Sequence, residues 1–191
     1  AALQIRHPMA RAALVVVVRE TVRRNRVRDG MVYMQVSRGV APRSHPFPRD
    51  AEPALVVTAK ALADPPAEII ESGVRVITMP DIRWGRCDIK SVSLLPNILA
   101  KQAAAEAGAY EAWLLDSSGF VTEGSASNAW IVDTNAVLVT RDLTTAILGG
   151  ITRAAILDAC AKDGLQVVQR PFTPEDAKTG REAMITSTTS F

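Results

Sequence analysis

The stretch Ala112-Trp113-Leu114-Leu115-Asp116-Ser117-Ser118-Gly119, continued by Ala129-Trp130-Ile131-Val132-Asp133-Thr134-Asn135 and Val137-Leu138-Val139-Thr140, decides the fold. Each run is short, apolar and rich in β-branched or aromatic residues, and each is closed by residues that turn the chain. These runs predict a mostly antiparallel sheet. Downstream, Gly149-Gly150 leads into a helical pattern over Thr152–Lys162 that Gly164 closes, and Leu165–Gln169 reads as a further strand. Thr173-Pro174-Glu175-Asp176 has the form of a helix N-cap with proline at the first helical position, and Ala183–Ile185 is the last strand.

Upstream of this region the pattern changes. Met9 to about Arg26 spaces Ala10, Ala13, Leu14, Val17, Val18 and Val22 as an amphipathic helix, and Asp29-Gly30 turns it into an alternating strand over Met31–Arg38. Gly39 to Pro48 holds three prolines and forms a stiff loop. Ala54–Ala59 and Val74–Met79 read as buried strands separated by Pro65-Pro66 and a short polar piece, and Asn97–Ala107 reads as a helix ending at Gly108. The change of style near Met79–Asp81 predicts two parts, residues 1-80 in an N-terminal α/β domain and residues 81-191 in a C-terminal domain. Ligand sites favour such seams.

Composition excludes several function classes. The chain has 191 residues, 48% of them hydrophobic and 22% charged, which rules out disorder. With 22 basic against 20 acidic residues, the net charge of +2 gives no electrostatic hold on nucleic acid, and Arg19–Arg28 reads as the solvated end of a helix. Ala12–Val18 is far short of the roughly 20 residues that span a bilayer. Cys87 and Cys160 have neither metal-ligand spacing nor the look of a disulfide framework, and no signal peptide is visible, so the expected location is the cytoplasm. His7 and His45 are the only histidines, and no Gly-x-Gly-x-x-Gly or P-loop occurs, which argues against metal and redox-nucleotide chemistry.

Four constellations carry possible chemistry. Lys90 follows Asp81-Ile82-Arg83-Trp84-Gly85-Arg86-Cys87-Asp88-Ile89 just ahead of a helix; it is either an ordinary surface lysine or a desolvated amine able to form a Schiff base. Glu123 lies in Thr122-Glu123-Gly124-Ser125-Ala126-Ser127-Asn128, read as a small-residue turn where a flat ligand can approach the backbone. Leu148-Gly149-Gly150-Ile151-Thr152-Arg153 opens a helix whose first amides are free to bind phosphate, and Thr186–Ser190 offers hydroxyl donors. Arg43 and His45, two apart in the proline loop, suit a carboxylate clamp or a plain surface pair.

Taken in order, Arg43-Ser44-His45, Cys87-Asp88-Ile89-Lys90-Ser91, Leu94-Leu95-Pro96-Asn97, Ala100-Lys101-Gln102, Val121-Thr122-Glu123-Gly124-Ser125-x-Ser127-Asn128, Gly150-Ile151-Thr152-Arg153 and Thr186-Ser187-Thr188-Thr189 resemble the class IV pyridoxal-phosphate-dependent aminotransferases, and most closely their bacterial D-amino-acid group. The resemblance runs from about Ala10 to Ser190. It implies the two-domain class IV fold, with 81-191 as part of the cofactor-binding domain, and pyridoxal 5'-phosphate as cofactor. It implies that Lys90 forms the Schiff base and carries the proton, that Glu123 faces the pyridine nitrogen with Ser127 and Asn128 behind it, and that Leu148 packs on the ring. Ile151, Thr152, Ser187 and Thr188 are then expected to hold the phosphate. Arg43 and His45 match a carboxylate trap contributed by the neighbouring subunit, which implies a homodimer. The implied reaction is ping-pong transamination between a D-amino acid such as D-alanine and a 2-oxo acid. Alternatives within the resemblance are a branched-chain L-amino-acid aminotransferase and an aminodeoxychorismate lyase; outside it stands an inactive fragment. The family's N-terminal cationic phosphate ligand and tyrosine have no counterpart here, nor do its final strands, so truncation at both ends is expected.

Overall fold

The computed structural model describes residues 2–189, which fall into two compact units that divide between Ala67 and Glu68. In the first unit, helix α1 (Arg11–Arg24) precedes an antiparallel pair of strands, β1 (Gly30–Ser37) and β2 (Ala54–Ala61), in register from Gly30 opposite Ala61 to Ser37 opposite Ala54. Alternation in both sequences fits a ribbon with one partly covered side. No described residue of this unit is buried, so β2 is half-exposed rather than the buried strand expected of Ala54–Ala59. The reason is thickness: a two-stranded ribbon under one helix has too few layers to exclude water.

The second unit holds the core. After α2 (Ala67–Ser72), absent from the sequence reading, β3 (Val76–Pro80) pairs in parallel with β4 (Glu111–Leu115), and α3 (Leu95–Glu106) is the crossover between them. β4 pairs antiparallel with β5 (Val121–Gly124), giving a sheet ordered β3-β4-β5. A second sheet, ordered β8-β7-β6-β9, contains β6 (Asn128–Val132), β7 (Leu138–Thr140), β8 (Val167–Gln169) and β9 (Glu182–Thr186). Helix α4 (Ile151–Asp163) is the crossover between the parallel strands β7 and β8, and α5 (Pro174–Thr179) precedes β9. The expected seam at 80/81 therefore falls inside the second unit, because β3 is hydrogen-bonded to β4.

Two expectations change here. The short strands belong to two sheets, not one, since the chain passes from β5 to β6 through the turn at 124–127. Val121–Gly124 is itself a strand, so Glu123 sits on β5 rather than in a turn. The core between these sheets contains Trp113, Val121, Ala129, Ile131, Val139 and Phe172, with Phe172 meeting Trp113 edge-on at 5.8 Å. A second cluster of Ala100, Ala104, Ala112 and Leu114 seats α3 on β4 through small side chains that allow close approach. The expected N-cap at Thr173 is present as a reciprocal box: Asp176 N donates to Thr173 Oγ1 at 3.1 Å and Thr173 N donates to Asp176 Oδ2 at 2.7 Å. Among the described residues, no helix is long and apolar enough to cross a membrane.

Candidate active site

One edge of the β8-β7-β6-β9 sheet gathers the chemistry. The N-terminal end of β6, the C-terminal ends of β7, β8 and β9, and the first turn of α4 all meet there, because β6 runs antiparallel to β7 and β9 and α4 returns the chain after β7. Asn128 opens β6 opposite Thr186. Its side-chain amide donates to Glu123 Oε2 at 2.9 Å and to Leu148 O at 2.9 Å, and Leu148 N donates to the same Glu123 oxygen at 3.0 Å. Glu123 Oε1 accepts from Arg83 Nη1.

Glu123 is 5% exposed, so its charge rests on these donors. A carboxylate has about four acceptor positions; three are filled, and one remains on Oε1. Burial pushes the Glu123 carboxyl up from the ordinary range, against the opposing pull of Arg83 and of the Leu148 amide. The Arg83 side chain is also buried and forks onto Asp81, with Nε to Oδ1 at 2.9 Å and Nη2 to Oδ2 at 2.7 Å, while donating to Ala146 O at 2.9 Å. Burial alone would raise the Asp81 carboxyl, but the hydrogen bonds and charge of Arg83, with Thr122 Oγ1 donating at 2.8 Å, hold it below its ordinary value. The same two carboxylates overcome desolvation and keep the guanidinium charged.

Beside this cluster α4 begins without a cap. Gly150 at the N-cap has no side chain to accept from the first amides, no acidic residue lies in the first turn, and among the described residues the amides of Ile151, Thr152 and Arg153 have no acceptor. Such an end attracts anions through free N–H groups and the helix dipole. A side chain at Gly150 would place its Cβ 2.3 Å from Asn128 Oδ1, so glycine is what lets the helix start against the Glu123 network.

The family model for amino-transferase class IV matches residues 1–191. The chain belongs to the class IV aminotransferases. D-alanine aminotransferase of Bacillus licheniformis is 42% identical over 173 residues, covering 91% of this chain and 60% of that protein. The chain thus spans about 60% of the length of such curated relatives. Among solved structures, the Escherichia coli branched-chain amino acid aminotransferase superposes with a TM-score of 0.84 at 21% identity, covering 98% of this chain and 64% of that one. A T.th. branched-chain amino acid aminotransferase complexed with N-(5'-phosphopyridoxyl)-L-glutamate gives 0.81 at 26% identity, covering 98% and 62%. The mixed α/β fold expected from the sequence is the class IV fold.

Within this class IV chain the anticipated site residues divide into groups. Glu123, Leu148, Ile151 and Thr152 come together at the sheet edge just described. Ser187, half-buried, follows Thr186, whose Oγ1 accepts from Trp130 Nε1 at 2.8 Å, and Thr188 beyond it is exposed. Ser190 lies outside the described residues. Lys90 is exposed and has no hydrogen bond or ion pair among the described residues, so the desolvation expected of it is not supplied by them. Its segment is tied down upstream, by Arg83 and by Cys87 N donating to Thr145 O at 2.8 Å. Cys87 is half-buried and Cys160 buried. Arg43 and His45 are exposed in the first unit, in irregular chain and without partners among the described residues.

The structure corrects one second-layer expectation and adds residues. Asn128 does hold Glu123, but the Ser127 hydroxyl donates to Glu111 Oε2 at 2.9 Å instead. The sequence places Asp81 and Arg83 only as neighbours of Lys90 and singles out no role for Glu111. A charged residue heading the fully apolar Ala112–Leu115 was the available signal for Glu111, since burial of that strand carries it inside. Among the described residues, no group of three or more His, Cys, Asp or Glu could hold a metal.

Proposed function

We propose that this chain carries the lysine and cofactor-holding part of a pyridoxal-phosphate-dependent aminotransferase that moves an amino group from a D-amino acid such as D-alanine to a 2-oxo acid. The observation that carries the reading is Glu123, buried, held by three donors and left with one acceptor position at a sheet edge that also presents an uncapped helix start. That set fits the cofactor: a ring nitrogen for the open position, and a phosphate for the amides of Ile151 and Thr152 and the hydroxyls of Thr152, Ser187 and Thr188. A phosphopyridoxyl group in a solved relative's complex supports the same cofactor.

Pyridoxal phosphate, when bound, supplies an aldehyde for an amine and a ring that withdraws electrons from the substrate α-carbon. Lys90 provides the amine and moves the proton at that α-carbon. Among the described residues no hydrogen bond or ion pair holds the Lys90 side chain, which leaves it free to reach a bound group. Glu123 keeps the ring nitrogen protonated, and Arg83 and Asn128 keep Glu123 in place. Leu148 offers an apolar surface beside the hydrogen bond that its own N–H donates to Glu123.

Arg43 and His45 take the substrate carboxylate, reaching it from the second subunit of a homodimer; both are exposed and have no partners among the described residues, as residues that act across an interface would. Similarity to D-alanine aminotransferase at 42% identity supports D-specificity. Both cysteines are free, which suits the cytoplasm. The test is an absorbance spectrum of the pyridoxal-phosphate-supplemented protein with D-alanine or L-leucine. Conversion of the cofactor band with D-alanine alone is expected. Conversion with L-leucine alone would move the protein to branched-chain substrates, and absence of any cofactor band would overturn the reading.

A further inference from the structure

Glu111 heads β4 and is 1% exposed, yet no part of the proposed chemistry uses it. A buried carboxylate must be hydrogen-bonded to stay inside. Here the donors are crowded: Ala112 N at 2.8 Å, Ser125 N at 3.2 Å and the Ser125 hydroxyl on Oε1, with Ala126 N at 3.3 Å and Ser127 Oγ at 2.9 Å on Oε2. Lys101 Nζ stands 3.8 Å from Oε1 at the rim.

All but one of those hydrogen-bond donors belong to the turn at 124–127. That turn joins β5 to β6, and the residues flanking it are Glu123 and Asn128, which hold each other. It is clamped further by Gly124 N donating to Ser127 O at 2.7 Å, by Ser125 N donating to Ala112 O at 2.9 Å and by Asn97 Nδ2 donating to Ser125 O at 2.8 Å. Space is equally tight, because a Cβ on Gly124 would lie 2.3 Å from Ser127 Oγ and 3.1 Å from Glu111 Oε2. A turn of small residues has no packing of its own to fix its shape. Glu111 supplies the shape from outside.

We infer that Glu111 is a positioning residue: by gathering the amides and hydroxyls of the turn at 124–127 onto one buried carboxylate, it sets where Glu123 and Asn128 stand. The inference rests on the proposed cofactor role of Glu123. Glu111 touches no reacting group and acts through Glu123.

The test titrates pyridoxal phosphate into the chain and into E111Q, E123Q and the E111Q/E123Q double variant. In E111Q an amide NH2 replaces one carboxylate oxygen, so whichever way the side chain turns, donor meets donor within the turn. E111Q should weaken binding by about 10-fold, but by less than about 2-fold in the E123Q background, as expected of a residue acting through another. Equal losses in both backgrounds would overturn the inference. A second readout needs no cofactor: the NMR resonances of the Asn128 side-chain amide in cofactor-free protein, which should move in E111Q and in S127A while the Trp113 and Trp130 indole resonances stay in place. Should the parent protein bind no pyridoxal phosphate, the cofactor reading fails, and this second readout decides the positioning role. An unmoved Asn128 amide in both variants would refute it.

Discussion

A single methyl group at Gly150 should break the Glu123 network. Gly150 has φ −62° and ψ 141°, a conformation open to any residue, so alanine meets no backbone strain there. The obstacle is contact: the new Cβ would stand 2.3 Å from Asn128 Oδ1, and heavy atoms do not approach so closely. Asn128 must swing away, and its amide then loses the bond to Glu123 Oε2 at 2.9 Å and the bond to Leu148 O at 2.9 Å. Loss of a bond to a charged acceptor costs about 1.5–3 kcal/mol and of a neutral one about 1 kcal/mol. Gly150→Ala should therefore destabilise the second unit by about 3 kcal/mol, or lower its Tm by about 6–12 °C. The assay is urea and thermal unfolding followed by tryptophan fluorescence, since Trp113 and Trp130 are both buried in that unit. Gly85→Ala is the control, because a Cβ there meets nothing within 4 Å; it should stay within about 0.5 kcal/mol of the parent. Removing the obstructing group in Gly150→Ala/Asn128→Ala should make the two losses less than additive. A Gly150→Ala protein as stable as Gly85→Ala would refute the packing argument.

Three further outcomes are expected. Lys90→Ala should abolish transamination, by about 10³-fold or more in kcat, while pyridoxal phosphate still binds noncovalently in an equilibrium titration; near-normal turnover would remove Lys90 from the chemistry. Arg43→Ala should mainly raise KM for the amino acid, by about 10-fold or more, with kcat less affected, and an unchanged KM would take Arg43 out of the site. Asp176 is held below its ordinary range chiefly by the Thr173 amide, so its contribution is present above the ordinary carboxylate pKa and lost as pH falls through the depressed folded value. Asp176→Asn should cost about 1 kcal/mol at neutral pH, and the gap to the parent should close below about pH 4 in unfolding curves taken across the acid range.

Local signals in the sequence carried far. The N-cap at Thr173, the glycine pair before α4 and the strand at Ala129–Val132 were legible because each depends on residues within a few positions of one another. Glu123, Leu148, Ile151 and Thr152 were singled out by the family resemblance that the order of their motifs carries, and the structure brings them to one sheet edge. The strand character of Val121–Gly124 was not legible, because Glu123 and Gly124 are poor strand formers by themselves; pairing with β4 and burial between sheets override that preference. The buried face expected of β2 failed for the opposite reason, since one helix over a two-stranded ribbon leaves its apolar residues only partly covered.

The sequence by itself determined most of the elements, the family and the candidates for the chemistry, since helix starts, turn residues and ordered motifs are properties of neighbouring positions. Only the tertiary structure decided which carboxylate keeps which donor. Arg83 lies 40 residues from Glu123 and bridges it to Asp81, and Ser127 lies 16 residues from Glu111 and turns to it rather than to Glu123. Those choices follow from where β4, β5 and β6 bring their ends inside a low-dielectric core: every buried charge there must find a partner, and the nearest in space is seldom the nearest in sequence.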